Sequence, residues 1–254
     1  IQSAIAGVHR INEFLGLEEK EELTGRQEAL KQSQAAVREE NAEQDEIIAE
    51  FQHVTFGYRE QDILQDFSFQ IRKGEQITLA GRTGAGKSTI FKLLLGLYEP
   101  KKGSVLINGR RAGAVEEKER RKLFGYVEQT FHQVPGTVRD QITLFDPAIT
   151  SGMAEEAAGL AGLHETIMAL EKGYDTPCMD GIFSEGQWQL LSIARAVAAR
   201  PKILLLDEIT ANLDAQTEKE VLRALQRAAE GRTVISISHR VNARMGRVIT
   251  VRML

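Results

Sequence analysis

The stretch Gly81-Arg82-Thr83-Gly84-Ala85-Gly86-Lys87-Ser88-Thr89 fits the pattern Gly-x-x-x-x-Gly-Lys-Ser/Thr. It follows an apolar run, Gln76 to Ala80, that predicts a strand, and it precedes a helical pattern, Ile90 to Leu95. Strand, glycine loop and helix in that order are the context in which the pattern cradles phosphate. Glycines let the backbone turn its amide groups toward a polyphosphate at a helix N-terminus. Lys87 can reach the β and γ phosphates, and the Ser88 hydroxyl can ligate Mg²⁺. A dinucleotide reading is poor, because the Lys-Ser pair and the spacing of the glycines favour a nucleoside triphosphate.

Downstream, Ile203-Leu204-Leu205-Leu206-Asp207-Glu208 is an apolar run ending in two acids. A buried parallel strand delivers carboxylates to the C-terminal edge of a sheet in this way. Asp207 is then expected in the Mg²⁺ shell, directly or through water, and Glu208 as the group that orients or deprotonates an attacking water. Acids after a strand can also merely cap or solvate a loop, and the upstream phosphate loop weighs against that alternative.

Runs at Phe51 to Phe56, Phe67 to Ile71, Val105 to Asn108 and Thr233 to Ser238 also read as strands. The stretch Ser151 to Ala199, apart from Gly173 to Glu185, is rich in Ala, Leu, Glu and Met and reads as mainly helical. Strands, a helical insert and strands again predict an α/β core with a helical subdomain. Before it, residues 1–16 carry an apolar stripe at helical spacing, and residues 17–46 hold ten acids against four bases without an apolar cluster, an exposed and partly helical linker. A globular domain starts near Ile47. Lys plus Arg is 32 against 36 Asp plus Glu, a net charge of −4, which argues against a nucleic-acid binder. Cys178 is the only cysteine, so an internal disulfide and a multi-cysteine metal site are excluded and a reducing compartment is favoured. No apolar run approaches the roughly 18 residues of a membrane span.

From about Ile47 to the last residue the sequence resembles the nucleotide-binding domain of ATP-binding cassette (ABC) transporters. The most specific piece is Phe183-Ser184-Glu185-Gly186-Gln187, similar to the family's Leu-Ser-Gly-Gly-Gln signature and followed by Ser192-Ile193-Ala194-Arg195-Ala196. The resemblance implies that Ser184, Gly186 and Gln187 contact the γ-phosphate of an ATP held by the phosphate loop, residues 81–89, of a second domain. Ser184 at a helix start suits that role, and an ordinary N-cap is compatible with it. Tyr58 resembles the aromatic that stacks on adenine, with core packing as the alternative. Gln129, in Tyr126-Val127-Glu128-Gln129, resembles the glutamine that touches Mg²⁺ and senses the membrane domain. Asn212-Leu213-Asp214 resembles the loop that crosses the dimer interface, where Asp214 is equally a helix N-cap. His239 resembles the histidine that contacts the γ-phosphate, against a structural hydrogen-bonding role.

Gln129-Thr130-Phe131, the segment Gly136 to Ile142 and Gly173-Tyr174-Asp175-Thr176 resemble exporter-type domains, often fused to a membrane domain. His9 to Leu15 resembles the cytoplasmic end of an exporter's last transmembrane helix. The implied fold is α/β, a P-loop NTPase core with an antiparallel strand layer near Tyr58 and a helical subdomain from about 131 to 199. The implied activity is ATP hydrolysis with Mg²⁺, powering export from the cytoplasmic face of a membrane, the bacterial inner membrane. Expected partners are a transmembrane domain of the same polypeptide and a second nucleotide-binding domain, identical or not, closing head to tail around two ATP molecules. Lys87, Gln129, Glu208 and His239 are the expected catalytic residues, and Ser88, Gln129 and Asp207 the metal ligands. Three departures stand out: Glu185 replaces the first signature glycine, residues 177–182 lack the usual Val-Gly-Glu-x-Gly stretch, keeping only Asp180 as an acid, and the chain stops soon after His239. Glu185 keeps a rival open, a regulatory ATP-binding module without turnover; a second rival is a soluble cassette ATPase with no transport role.

Overall fold

A computed structural model describes residues 46–82, 84–128, 130–179, 181–208, 213–238 and 245–251. Among the described residues nine strands form two sheets. The first three are β1 (Ile47–Phe56), β2 (Leu64–Arg72) and β3 (Gln76–Ala80), and helix α1 (Lys87–Leu94) follows the phosphate loop. Then come β4 (Lys102–Ile107), β5 (Arg110–Arg111), α2 (Glu117–Leu123) and β6 (Phe124–Val127). The helical insert holds α3 (Val138–Thr143), α4 (Ser151–Ala161), α5 (His164–Met168) and α6 (Glu185–Val197), and β7 (Ile203–Asp207), α7 (Ala215–Ala229), β8 (Thr233–Ile237) and β9 (Arg247–Thr250) complete the order.

The core sheet runs β6-β7-β8-β3-β9, every pair parallel. Its strands are apolar at successive positions because both faces are covered. Ile203 and Leu205 join the core beneath α1 and the antiparallel sheet, while Leu204 and Leu206 join the core formed with α3 to α7. That alternation is the period-two geometry of a strand. One polar device crosses this core: the Thr78 and Ser236 hydroxyls lie 2.8 Å apart, and Thr78 Oγ1 both donates to Met245 O at 2.9 Å and accepts from Met245 N at 2.8 Å. The chain re-entering β9 is thereby tied to β3.

The second sheet, β2-β1-β4-β5, is antiparallel. Phe51 pairs with Phe69 across β1 and β2, and their rings stack at 4.7 Å. This sheet ends β1 one residue short of Gly57 and Tyr58. The predicted strands are all present, Gln76–Ala80 with both ends as read and the others with ends shifted by at most four residues. Three strands escaped the pattern reading. Arg110–Arg111 is two exposed residues long, Phe124–Val127 is only four residues long and continues directly from α2, and Arg247–Thr250 lies at the sheet edge with most of its residues exposed. None of them offers the run of apolar or alternating residues on which such a reading rests.

Candidate functional site

Parallel pairing fixes where the site forms. Leu79 is level with Ile237, Ile237 with Asp207, and Val127 with Leu206. The phosphate loop, the two acids, Ser238 and Glu128 therefore leave the sheet at one edge, its C-terminal one, where ligands of open α/β sheets bind.

The loop between β3 and α1 needs its glycines. Gly81, Gly84 and Gly86 have φ of 159°, 84° and 92°. A Cβ on Gly86 would stand 2.8 Å from Ile63 Cγ2, and one on Gly81 only 2.4 Å from Val251 O. Gly86 caps α1 with no side-chain hydrogen bond, and the first turn carries no acidic residue. Its amide groups, left without a side-chain cap, are donors of the kind that suit an anion. The Lys87 ammonium folds over the loop, donating to Gly81 O at 2.9 Å and to Arg82 O at 3.0 Å. Burial lowers the Lys87 pKa, while the charges of Glu208 and Asp207 oppose that shift.

Asp207 closes β7 and accepts a hydrogen bond from Tyr126 Oη at 3.2 Å. Burial raises its pKa; the Tyr126 bond and Lys87 pull it down, and Glu208 and Glu128 push it up. The same burial, with the carboxylate alongside, pushes the Tyr126 phenol above its ordinary value. Glu208 has φ of 46° and its N–H donates to Ile237 O at 3.1 Å. A left-handed backbone at a non-glycine residue is a strained state held by its surroundings, and here it turns the chain sharply after β7.

Tyr58 is 46% exposed, so its ring is not a core residue. Phe56 and Tyr98 meet it edge to face, at 5.2 and 5.3 Å, Lys92 Nζ lies 5.4 Å from its centroid, and its hydroxyl is 3.3 Å from Thr89 Oγ1. A fixed, exposed ring beside α1 has a π-face that a planar group can stack on.

Ser184 is the N-cap of α6. Gln187 N donates to Ser184 Oγ at 3.3 Å and Ser184 N to Gln187 Oε1 at 2.9 Å, a reciprocal capping box. A Cβ on Gly186 would stand 2.1 Å from Thr217 Cγ2, so the first turns of α6 and α7 touch there. Thr217 is in turn held by Asp214, the N-cap of α7, whose carboxylate also accepts from Gln216 N at 3.0 Å. The hydrogen bond from Thr217 holds the Asp214 pKa below its ordinary value. Ser184 and Asp214, distant in sequence, thus sit on neighbouring helix starts. At its other end α6 meets the sheet, since a Cβ on Gly125 of β6 would lie 2.3 Å from Ala196 O. Ser184 is 12 residues earlier than Ala196, or roughly 18 Å along the helix.

Thr83, Gln129 and His239 lie outside the described residues, as do Asn212, Asp180 and the N-terminal segments 1–16 and 17–45. Sequence reasoning assigned no role to Tyr126, Lys92 and Tyr98. Tyr126 carried a signal in its place beside Gln129, but its bond to Asp207 depends on β6 pairing with β7.

A family model described as ABC transporter matches residues 64–211. The chain is 40% identical over 244 residues to the uncharacterized ABC transporter ATP-binding protein YfiC of Bacillus subtilis (strain 168), covering 94% of this chain and 38% of that protein. It is 39% identical over 197 residues to the alpha-hemolysin translocation ATP-binding protein HlyB of Escherichia coli O157:H7, covering 76% of this chain and 28% of HlyB. The solved structure of a bacterial Atm1-family ABC exporter with ATP bound superposes with a TM-score of 0.72 at 32% identity, over 82% of this chain and 38% of the exporter's. The chain thus spans under two fifths of the length of each.

Proposed function

The chain belongs to the ABC transporter family, and we propose that it binds ATP with Mg²⁺ and hydrolyses it to drive export across a membrane. It carries the family's ATPase domain, with a P-loop NTPase fold. The observation that carries the reading is the convergence at one sheet edge of the uncapped α1 N-terminus, Lys87 and the Asp207-Glu208 pair.

In this reading the α1 amides and Lys87 bind the phosphates, and Tyr58 takes the adenine. Hydroxyl and carboxylate oxygens suit a hard cation, so Ser88 and Asp207, with Gln129, would hold Mg²⁺. Bound there, the ion neutralises phosphate charge and orients the γ-phosphate for in-line attack. Glu208 orients the attacking water and receives its proton, and His239 contacts the γ-phosphate. Ser184, Gly186 and Gln187 serve the ATP of a second nucleotide-binding domain, with Asp214 at the same interface. Among the described residues no helix is long and apolar enough to cross a membrane. The spanning part is then a transmembrane domain of the same polypeptide, joined through residues 1–16 and 17–46 to a nucleotide-binding domain at 47–254 on the cytoplasmic face. Glu185 keeps the non-hydrolysing alternative in view, because it puts a carboxylate where another chain's phosphate would arrive.

Glu208→Gln separates the two. Loss of a positioned base costs on the order of 100 to 10,000-fold in rate, so this variant should bind MgATP in calorimetry with wild-type affinity and release almost no phosphate. Equal phosphate release by the variant and wild type would remove Glu208 from the chemistry, and absence of turnover in wild type under export-competent assembly would favour the regulatory module.

A further inference from the structure

The connection between β1 and β2, residues 57–63, carries Tyr58 and forms no helix or strand. It folds back on itself: Ile63 N donates to Phe56 O at 2.7 Å, and a Cβ on Gly57 would stand 2.1 Å from Gln61 O. These contacts bring the two ends of the loop together. Its middle is held from outside, by the connection between α1 and β4, residues 95–101.

The antiparallel register sets Thr55 opposite Lys102, and Lys101 N donates to Thr55 O at 2.8 Å. Sheet pairing therefore places Lys101 where β1 ends and the Tyr58 loop begins. Its ammonium donates to Arg59 O at 2.7 Å and to Asp62 Oδ1 at 2.8 Å. Arg59 is next to Tyr58, and Glu60 and Gln61 lie between the two acceptors, so one cation spans the loop. Three residues before Lys101, Tyr98 meets the Tyr58 ring edge to face at 5.3 Å and 84°. One connection thus touches both the ring and the backbone that bears it. The Lys101 and Asp62 side chains are 39% and 26% exposed, and an ion pair so near water adds little to the stability of a fold. What it supplies is a fixed chain path. An ammonium with three donors satisfies a carbonyl and a carboxylate at once, and a loop ordered beforehand does not have to be ordered by the ligand.

We propose that Lys101 is a positioning residue for the nucleobase: by tying Arg59 and Asp62 together it holds Tyr58 in the orientation on which a base stacks. The inference rests on the role proposed above for Tyr58. Lys101 lies outside the phosphate loop, the acid pair and the signature, so its effect falls on the base end of the nucleotide and leaves the phosphate end alone. A lysine that served the fold only would affect both ends alike.

The full chain is titrated by calorimetry with MgATP and with magnesium tripolyphosphate, which has the phosphates and no base. Tyr58→Ala should weaken MgATP binding by about tenfold, the loss expected when a base gives up an aromatic platform. Lys101→Met, which keeps an apolar stem and removes the donors, should weaken MgATP by about three- to tenfold, the cost of ordering a loop side chain on binding. It should leave tripolyphosphate affinity unchanged. In the Tyr58→Ala background the same substitution should cost less than about twofold, because two residues that act through one contact are not additive. Wild-type MgATP affinity in Lys101→Met overturns the proposal alone. So does an equal loss for MgATP and tripolyphosphate, or a loss undiminished in the Tyr58→Ala background, since Lys101 would then be a fold element. If Tyr58→Ala binds MgATP as wild type does, the stacking role of Tyr58 fails and this proposal fails with it. A wild-type chain that binds neither ligand overturns the reading of the phosphate loop as well.

Discussion

At Asp207 burial and the metal-binding role proposed for it make opposite demands on one carboxylate. Desolvation raises its pKa, and the Tyr126 hydroxyl at 3.2 Å pulls it back. A carboxylate must be ionised to hold Mg²⁺, so protons compete for this site at a higher pH than the ordinary aspartate value of about 3.9. The sign follows directly. As pH falls, the advantage in MgATP affinity of wild type over Asp207→Asn should shrink before that ordinary value is reached. Tyr126→Phe removes the hydrogen bond that favours the charged form, and should move the decline to higher pH. Calorimetric titrations over a pH series check both, and an advantage that stays flat down to the ordinary aspartate range would count against Asp207 as a ligand. The residue types at 87, 207 and 208 were legible in the sequence, because a phosphate site needs a cation and carboxylates at set distances from strands. The left-handed Glu208 and the Tyr126 donor were not, since each exists only through a neighbouring strand.

Among the elements, α6 links the two parts of the site. Its start carries Ser184 against α7, and its end abuts β6 at Gly125, where an added Cβ would also lie 2.8 Å from Leu204 Cδ2 and 2.9 Å from Pro201 Cγ. Two of those three limits are a backbone carbonyl and a proline ring, neither able to swing aside. Gly125→Ala should therefore destabilise the fold by about 1–3 kcal/mol, as overpacking does. Each kcal/mol lowers Tm by about 2–4 °C at this chain size, so a thermal melt reads the effect. An unchanged Tm would show that α6 can shift freely against the sheet. β7 was readable because its first four residues are buried on both faces and so all apolar. β6 was not, for it is short and its Tyr126 and Gly125 follow no apolar run.

For the molecule as a whole, the signature and the phosphate loop raise a question of assembly. Lys87→Ala damages a chain's own phosphate loop and leaves its signature intact; Ser184→Arg does the reverse, at a cost of about 1 kcal/mol for the lost cap. If two chains close head to tail, each variant alone should be inactive. A mixed dimer pairs the intact loop of the Ser184→Arg chain with the intact signature of the Lys87→Ala chain at one site, and both lesions at the other. ATPase activity should therefore return in part on mixing. A mixture as inactive as its components, beside active wild type, would argue against a shared site.

Motif chemistry depends on local order, so the phosphate loop, the acids after an apolar strand and the capped signature helix were determined by the sequence itself: a few adjacent residues fix the backbone turn, the cap and the charge. The strand order β6-β7-β8-β3-β9 was decided elsewhere. Its parallel pairs join residues from 30 to 170 positions apart, as Ile203 with Thr233 and Ile77 with Arg247, and no local periodicity records which buried strand lies beside which. The same holds for Gly186 against Thr217 and for Phe131 on Trp188. Such contacts come from packing two covered sheet faces and a helical layer at close density, and only the tertiary structure brings those partners together.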